Sequence, residues 1–462
     1  MKILFVVPTL DYADQISVAY LSAVAKELGH ETYFFNARVG ELKFENSFPV
    51  LGITTPVCDV VAYTTTIQHF EEICYWNIML KRWWKNYISI LGGAHATFAP
   101  ETFKDSGMDY YCVGEGEEAF AHFLTAVDNN RSDPLLANNC IDKRNLKPVM
   151  GELTQDLDSL PFPDRDLTLE NSYLKDTPKK TFYTSRGCPY SCTYCANNHY
   201  NKMYRGQKIV RRFSVDRIIE EIQYVMLNYR CDFIKFGDDL FALKADTWLY
   251  KFCYAYKEKI NIPFNCYLRI DSVDECLIEI LKYAGCHSVH LSIDSVNENV
   301  REKILNRKSK SNIWQIGDKL ELIHKYGIET WVNYMLAAPE STVGDDLHTM
   351  TISKISKVSY TSYSMTDPIK GTDLYDYCID KGYIDKSYSG DMSNCSTRST
   401  LKCFTNKDKD VRYNIYLLGA LCGKVPYWIL FCLIFYIKPN RFFEWIHKKY
   451  YEYNIEKVIF KL

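Results

Sequence analysis

Three cysteines, Cys188, Cys192 and Cys195, stand in the spacing CxxxCxxC within TSRGCPYSCTYCANNH at 184–199. Two close thiols suggest a redox pair and four a closed zinc site. Three fit a different chemistry. Thiolates are the usual protein ligands of iron–sulfur clusters, and four of them hold a cubane of four irons. Three on one loop hold three irons and leave the fourth open, and an open metal position is what a reacting centre needs. Gly187 and Pro189 flank the first cysteine and suit a tight loop around such a cluster. Free cysteine also packs as a small hydrophobe, which is how nearly all of the other fourteen cysteines are read.

Such a loop needs a rigid platform, and the sequence around it provides one. Strand-like runs occur at 181–187 (TFYTSRG), 233–239 (FIKFGDD), 264–271 (FNCYLRID), 288–294 (SVHLSID), 329–337 (ETWVNYMLA) and 360–368 (YTSYSMTDP). Amphipathic helical runs lie between them, one with Ser214 as its N-cap, others stopped by Gly285 and Gly327. Six β/α units predict a partial TIM-like barrel, with chemistry at the carboxyl ends of the strands. The cysteine loop follows the first of those strands.

A second αβ alternation occupies 1–130. Its strands read KILFVVPT (2–9), ETYFFNA (31–37), DVVAYTTT (59–66), YISILGG (87–93) and YYCVGEG (110–116). This predicts an open, mostly parallel, Rossmann-like sheet. Ligands of such sheets sit beyond the carboxyl ends of the strands. Those ends are PTLD, TTT, GGAHAT and GEGE; each alone reads as a tight turn, and the four together point to a large polar ligand. Residues 131–180, with LPFPDRDL, read as a linker, 181–385 as the barrel and 386–462 as a mostly helical extension.

The net charge of −2 gives no reason to expect nucleic acid. The start, MKILFVVPTLDYADQ, lacks the length and cleavage site of a signal peptide, so a cytoplasmic protein with reduced thiols is expected. The extension holds VPYWILFCLIFYI (425–437) and then KPNRFFEWIHKKYYEY. Its apolar run is too short to span a bilayer. Two readings stand for 413–437: a buried hairpin covering the barrel, or an interfacial helix with an aromatic and basic flank, suited to a lipid-linked substrate.

With Tyr194 before the last cysteine, the triad resembles the radical S-adenosylmethionine superfamily. ILGGAHATFAPE (90–101), DYYCVGEGEEAF, LPFPDRDL, VRRFSVDRIIEEI, LRIDSVDECLIEILKYAGC and DPIKGTDLYDYCIDKGYI resemble its cobalamin-binding branch. The resemblance runs from residue 1 to about 385. It implies a 4Fe–4S cluster on Cys188, Cys192 and Cys195, with S-adenosylmethionine on the open iron. In that family, reduction of the cluster cleaves S-adenosylmethionine to a hydrogen-abstracting 5'-deoxyadenosyl radical, and cobalamin usually relays a methyl group.

The resemblance also implies site residues. Thr65, Thr66, Gly92, Gly93, His95, Thr97, Gly114, Glu115 and Gly116 stand in the cobalamin-facing segments, although His95 also reads as a turn residue. No DxHxxG segment follows the first strand, so no histidine is expected below the cobalt. Gly237, Asp238 and Asp239 replace the family's GGE-like segment, which meets the methionine amino group; either aspartate could accept from it. Arg269 faces the methionine carboxylate or pairs with a barrel carboxylate. Ser292 and Asp294 stand where ribose is contacted, with Asp in place of the common Glu. LAAPEST (336–342) has Ala337 where Gly is common.

The implied function is methyl transfer to an unactivated carbon of a small-molecule or lipid-linked substrate. It needs an external electron donor of flavodoxin or ferredoxin type. Non-methylating radical chemistry with the same cofactors, or a non-catalytic sensor, are the alternatives. A methylthiotransferase needs a second cluster, and Cys58, Cys74 and Cys112 lack suggestive spacing.

Overall fold

The computed structural model describes residues 1–8, 14–37, 44–45, 48–49, 57–84, 86–128, 138–309, 311–388, 390 and 392–462. All but the start of the expected PTLD strand end therefore lies outside the described residues. The chain forms two compact units, Met1–Thr177 with Lys202–Lys208, and Pro178–Asn201 with Ile209–Leu462.

The first unit is built on a six-stranded sheet. Its strands are β1 (Lys2–Val7), β2 (Glu31–Asn36), β3 (Val60–Thr64), β4 (Ile88–Gly92), β5 (Tyr110–Cys112) and β6 (Cys140–Ile141), in the order β2-β1-β3-β4-β5-β6. Pairing is parallel except for β6 against β5. Ile3 to Val7 are all buried, as a strand covered on both faces requires. Helices α1 (Ile16–Glu27), α2 (Phe70–Trp83), α3 (Gly93–Phe98) and α4 (Glu117–Asp128) follow strands. Trp76 and Leu80 of α2 pack with Leu4, Val61 and Leu91 of the sheet in one core. The strands end earlier than their apolar runs suggested, at Thr64, Gly92 and Cys112. Gly93 and Gly114, both at φ +85°, take the chain out of extended geometry there. The TTT, GGAHAT and GEGE residues thus lie on the carboxyl edge rather than inside the sheet.

The second unit carries six parallel strands in chain order. They are β7 (Lys179–Phe182), β8 (Phe233–Phe236), β9 (Phe264–Leu268), β10 (Cys286–Asp294), β11 (Glu329–Leu336) and β12 (Tyr360–Met365). Helices α5 (Val215–Asn228), α6 (Thr247–Lys259), α7 (Glu275–Ala284), α8 (Ile313–Lys325), α9 (Val343–Ile355) and α10 (Asp373–Asp380) alternate with them. Side-chain caps start all six of these helices: Ser214, Asp246, Asp274, Asn312, Thr342 and Thr372 each accept from a backbone N–H of the first turn. Gly285, at φ +100°, ends α7 as expected.

Three further helices complete the unit: α11 (Asn406–Leu418), α12 (Tyr427–Tyr436) and α13 (Arg441–Tyr453). The chain end turns under the amino ends of the barrel strands. Ile459 and Phe460 pack with Phe233 and Tyr360, the first residues of β8 and β12. Ser288 Oγ donates to the carbonyl of Ile459 at 2.7 Å. The end away from the cysteine loop is thereby closed. The buried-hairpin reading of 413–437 holds for α11, but α12 buries only Leu430 and Ile434.

Candidate functional site

Cys188, Cys192 and Cys195 line one cavity of about 420 Å³ at the carboxyl ends of the barrel strands. The loop that brings them there is fixed by its neighbours. Gly187 has φ +84°, and a Cβ on it would lie 2.4 Å from the Ile209 carbonyl oxygen, so only glycine fits. The Thr193 N–H donates to the Leu305 carbonyl at 3.0 Å, and Thr193 Oγ1 to that of Ile304 at 2.7 Å. Asn201 Nδ2 donates to the Cys188 carbonyl at 2.9 Å. Burial raises the Cys188 thiol and pushes that of Cys195 up to about 11. A bound cation would reverse that, because metal coordination deprotonates thiols. Three thiols on one wall of a lined cavity suit a cluster with an open iron.

Asp239, Arg269 and Ser292 line the same cavity, as do Tyr194 and Arg307. Arg269 lines the cavity and pairs with a barrel carboxylate, the second of its two expected positions. Its guanidinium stacks 3.8 Å from the Tyr190 ring centroid, while Nη2 donates to Asp271 at 2.8 Å and to the Lys308 carbonyl at 2.9 Å.

Two aspartates are not where the sequence put them. Asp238 points away from the cavity: Oδ1 accepts from Thr184 N–H and Oγ1, both at 2.9 Å, and from Ser185 Oγ at 2.5 Å. Burial pushes its carboxyl up to about 6 against those bonds. It pins the segment that leads into the cysteine loop, and Asp239 alone of the pair faces the cavity. Gly237 does not line the cavity; it packs against the Tyr183 ring, which a Cβ there would meet at 2.8 Å. Asp294 is buried behind the wall, with φ +66°. Its carboxylate accepts from Tyr194 Oη at 2.7 Å and from Ser292 Oγ, and pairs with Arg307. It is occupied by protein, not open to a ribose.

Sequence reasoning missed Arg307. Besides Asp294 it reaches Tyr194 Oη at 3.3 Å, Cys192 Sγ at 3.8 Å and the Ser292 carbonyl. Ala337 adopts φ +57°, and its N–H donates to Asp346 Oδ2 at 3.2 Å. Arg412 of α11 pairs with the same carboxylate, and burial pushes the Asp346 carboxyl up to about 7 despite that cation.

In the first unit, Gly92, Gly93, Gly114 and Gly116 gather around a cavity of about 120 Å³ with Thr64, Ser17 and Glu117. Two of them, Gly93 and Gly114, are required by close packing. A Cβ on Gly93 would lie 2.4 Å from Thr64 Oγ1, and one on Gly114 2.0 Å from Tyr204 Oη. Tyr204 Oη accepts from the Glu115 N–H at 3.1 Å and from Asn139 Nδ2 at 3.3 Å. Thr97 Oγ1 joins two glycine turns, donating to the Gly93 carbonyl at 2.8 Å and accepting from the Gly114 N–H at 3.0 Å.

Five expected contacts lie off this cavity. His95 is turned into the core: its ring stacks on Phe70 at 3.9 Å, Nε2 meets Thr102 Oγ1 at 2.9 Å, and burial lowers its pKa to about 4. Thr97 acts through the turns. Thr65 is buried and bonds the Thr66 carbonyl through Oγ1, Thr66 is exposed, and Glu115 accepts the Thr154 N–H at 3.3 Å. Thr64, one residue earlier in the TTT run, lines the cavity instead. The glycine-rich carboxyl edge suits the close backbone approach of a large planar cofactor.

Residues 182–342 match the radical SAM superfamily and residues 2–124 the B12 binding domain. The uncharacterized methyltransferase PH0819 of Pyrococcus horikoshii is 26% identical over 396 residues, which is 82% of this chain and 83% of that protein. The cytidylyl-2-hydroxyethylphosphonate methyltransferase of Streptomyces wedmorensis is 23% identical, over 65% of this chain and 63% of its own length. In fold, the chain is similar to the cobalamin-dependent S-adenosylmethionine radical enzyme OxsB. The TM-score is 0.71 at 15% identity, covering 98% of this chain and 73% of that one.

Fold and matches define a cobalamin-binding domain followed by a radical SAM barrel. The chain belongs to the cobalamin-dependent radical S-adenosylmethionine enzymes. Its cofactors are a 4Fe–4S cluster, S-adenosylmethionine and cobalamin.

Proposed function

We propose that this enzyme transfers a methyl group from S-adenosylmethionine to an unactivated carbon of a small-molecule substrate. The observation that carries the reading is the single cavity shared by Cys188, Cys192, Cys195, Asp239, Arg269 and Ser292, in a chain with a B12-binding domain. When bound, the cluster supplies the electron that cleaves S-adenosylmethionine, and cobalamin carries the methyl group. The three thiolates would hold the cluster. Asp239 accepts from the methionine ammonium, a charge-assisted bond that orients it. Arg269, held by Asp271 and Tyr190, faces the methionine carboxylate. Ser292 bonds a ribose hydroxyl, and Asp294 with Arg307 keeps Ser292 and Tyr194 in place. Gly92, Gly93, Gly114 and Gly116, with Thr64, let the cobalamin come close to the backbone.

The electron comes from an external flavodoxin- or ferredoxin-type donor. The reading takes the thiols to be reduced, as in a cytosol, and counts lipid-linked as well as free molecules among the candidate substrates. The test is anaerobic turnover of the reconstituted enzyme with methyl-labelled S-adenosylmethionine and candidate substrates. Equal amounts of S-adenosylhomocysteine and 5'-deoxyadenosine, with label in the product, are expected. Turnover to 5'-deoxyadenosine with an unlabelled product would replace methyl transfer by cyclisation, rearrangement or oxygen insertion.

A further inference from the structure

The hairpin of α12 and α13 leaves an aromatic surface uncovered. α12, YWILFCLIFY, is apolar on every side yet buries only Leu430 and Ile434. Trp428 (70% exposed) and Tyr436 (80%) face solvent, followed by Ile437 and then by Phe442 (63%) and Trp445 (57%) around α13. A helix that is apolar all round belongs in a core or against lipid. Each large aromatic carries roughly 150–250 Å² of surface, so these side chains together expose on the order of several hundred Å². Along α12, Trp428, Phe431 and Tyr436 recur at helical spacing, all exposed, and soluble proteins rarely leave such an apolar strip without a partner.

The surface is held in place. Asn414 Nδ2 of α11 donates to the Ile434 carbonyl at 3.0 Å and to that of Ile437 at 2.7 Å. Asn440 caps α13, accepting the N–H groups of Phe442 and Phe443, both at 3.1 Å. The rings of Phe431 and Phe435 stack at 4.4 Å, and those of Phe442 and Trp445 at 6.0 Å.

The charge around it is one-sided. Residues 424–449 hold Lys424, Lys438, Arg441, Lys448 and Lys449, all exposed, against the single acid Glu444. Lys448 and Lys449 are partly compensated by Glu452, at 3.9 and 2.9 Å. Among the described residues no carboxylate pairs with Lys438 or Arg441. Lys438 stands in the turn between the helices, after Tyr436 and Ile437, and Arg441 opens α13 beside Phe442. No helix among the described residues is long and apolar enough to cross a membrane, so contact with lipid here is along a surface.

We propose that this hairpin seats the enzyme on an anionic lipid bilayer. The aromatic side chains enter the boundary between headgroups and acyl chains, and Lys438 and Arg441 meet the anionic headgroups. The proposal rests on this surface alone and not on the methyl-transfer reading. Its test is therefore run on both the full chain and its Cys188→Ala variant, so that loss of the cluster and loss of lipid binding are separate results.

The experiment is co-sedimentation with phosphatidylcholine vesicles, with and without phosphatidylglycerol. Both proteins are expected to sediment with the anionic vesicles, less so as salt rises. The triple variant Trp428→Ser/Phe442→Ser/Trp445→Ser should lose this binding while keeping its melting temperature. Lys438→Glu/Arg441→Glu should lower it by about tenfold or more. Absence of binding to anionic vesicles, or binding retained in the triple variant, overturns the proposal. So does a dimer in sedimentation velocity that the triple variant dissociates and that ignores vesicles; the hairpin would then serve a second copy of the chain.

Discussion

Arg307 Nη1 lies 3.8 Å from Cys192 Sγ while the same guanidinium pairs with the buried Asp294. A cation thus stands beside one of the three thiols, fixed by a carboxylate that it alone neutralises among the groups bonding Asp294. Arg307→Gln leaves that carboxylate buried without its counter-ion, and loss of about 3 kcal/mol of stability is expected in chemical denaturation. Asp294→Asn/Arg307→Gln removes both charges and recovers most of it. In potentiometric titration of the reconstituted protein, the single variant shifts the cluster to more negative potential, because a positive charge has left its surroundings. The double variant shifts it less. Unchanged potential in Arg307→Gln would place the cation outside the cluster's field.

Asp238 and Asp239 are adjacent and identical, yet have opposite tasks. Asp238 is buried on Thr184 and Ser185, with its carboxyl raised from 3.8 to about 6 by burial. The folded state therefore holds that proton more tightly than the unfolded chain. Below pH 4 both states are protonated and Asp238 adds no penalty; between pH 4 and 6 stability falls, by about 3 kcal/mol in all, and then levels. Asp238→Asn should flatten this part of the stability profile. Asp239→Asn should weaken S-adenosylmethionine binding by about tenfold or more, as loss of a charge-assisted bond does. Calorimetry for binding and urea titrations across pH separate the two.

The adjacency explains what the sequence could and could not tell. Alternating apolar and helical runs made both sheets legible, and CxxxCxxC after β7 made the thiols legible, because both signals are local. Which of two neighbouring aspartates faces the cavity depends on how the turn after β8 bends, and FGDD carries no mark of that. Arg307 is 115 residues from Cys192, in a basic stretch that reads as solvated surface; only the closing of the barrel brings them together. His95 had the motif but not the position, since Phe70, in the helix after β3, offered its ring a stacking partner in the core.

Gly114 and Tyr204 form a second tight pair. Gly114→Ala would place a methyl 2.0 Å from Tyr204 Oη at a backbone φ of +85°. Both the contact and the strain oppose it, and the GEGE turn must move. The variant should lose most of its cobalamin on gel filtration, read from the visible absorption of the eluted protein. Tyr204→Phe leaves the Glu115 N–H without its acceptor and should cost about 1–2 kcal/mol of stability with smaller loss of cobalamin. Full cobalamin retention in Gly114→Ala would detach this turn from the cofactor site.

Ala337 departs from the glycine common in the family, and its conformation sharpens that departure. At φ +57° an alanine sits in the left-handed region, which costs an L-residue roughly 1–2 kcal/mol. It is kept there by Asp346, which accepts its N–H and is itself tied to Arg412. Arg412 also donates to Ser341 Oγ at 2.8 Å and to the Ser341 carbonyl at 2.7 Å, so one buried cation fixes both ends of this loop. Ala337→Gly relieves the strain but enlarges the freedom of the unfolded chain by about 0.4–1 kcal/mol, so the net gain expected is small and positive, near 0.5 kcal/mol. Arg412→Ala instead leaves Asp346 buried without its partner. Around 3–5 kcal/mol should be lost, and Ala337 released from its strained geometry. If Arg412 acts on the site through this loop, Ala337→Gly in the Arg412→Ala background should lose its stabilising effect, because the strain it relieves has already gone. Thermal and urea unfolding of the four proteins measure this coupling. A full additive gain from Ala337→Gly in both backgrounds would mean that Arg412 does not hold Ala337 in its left-handed conformation.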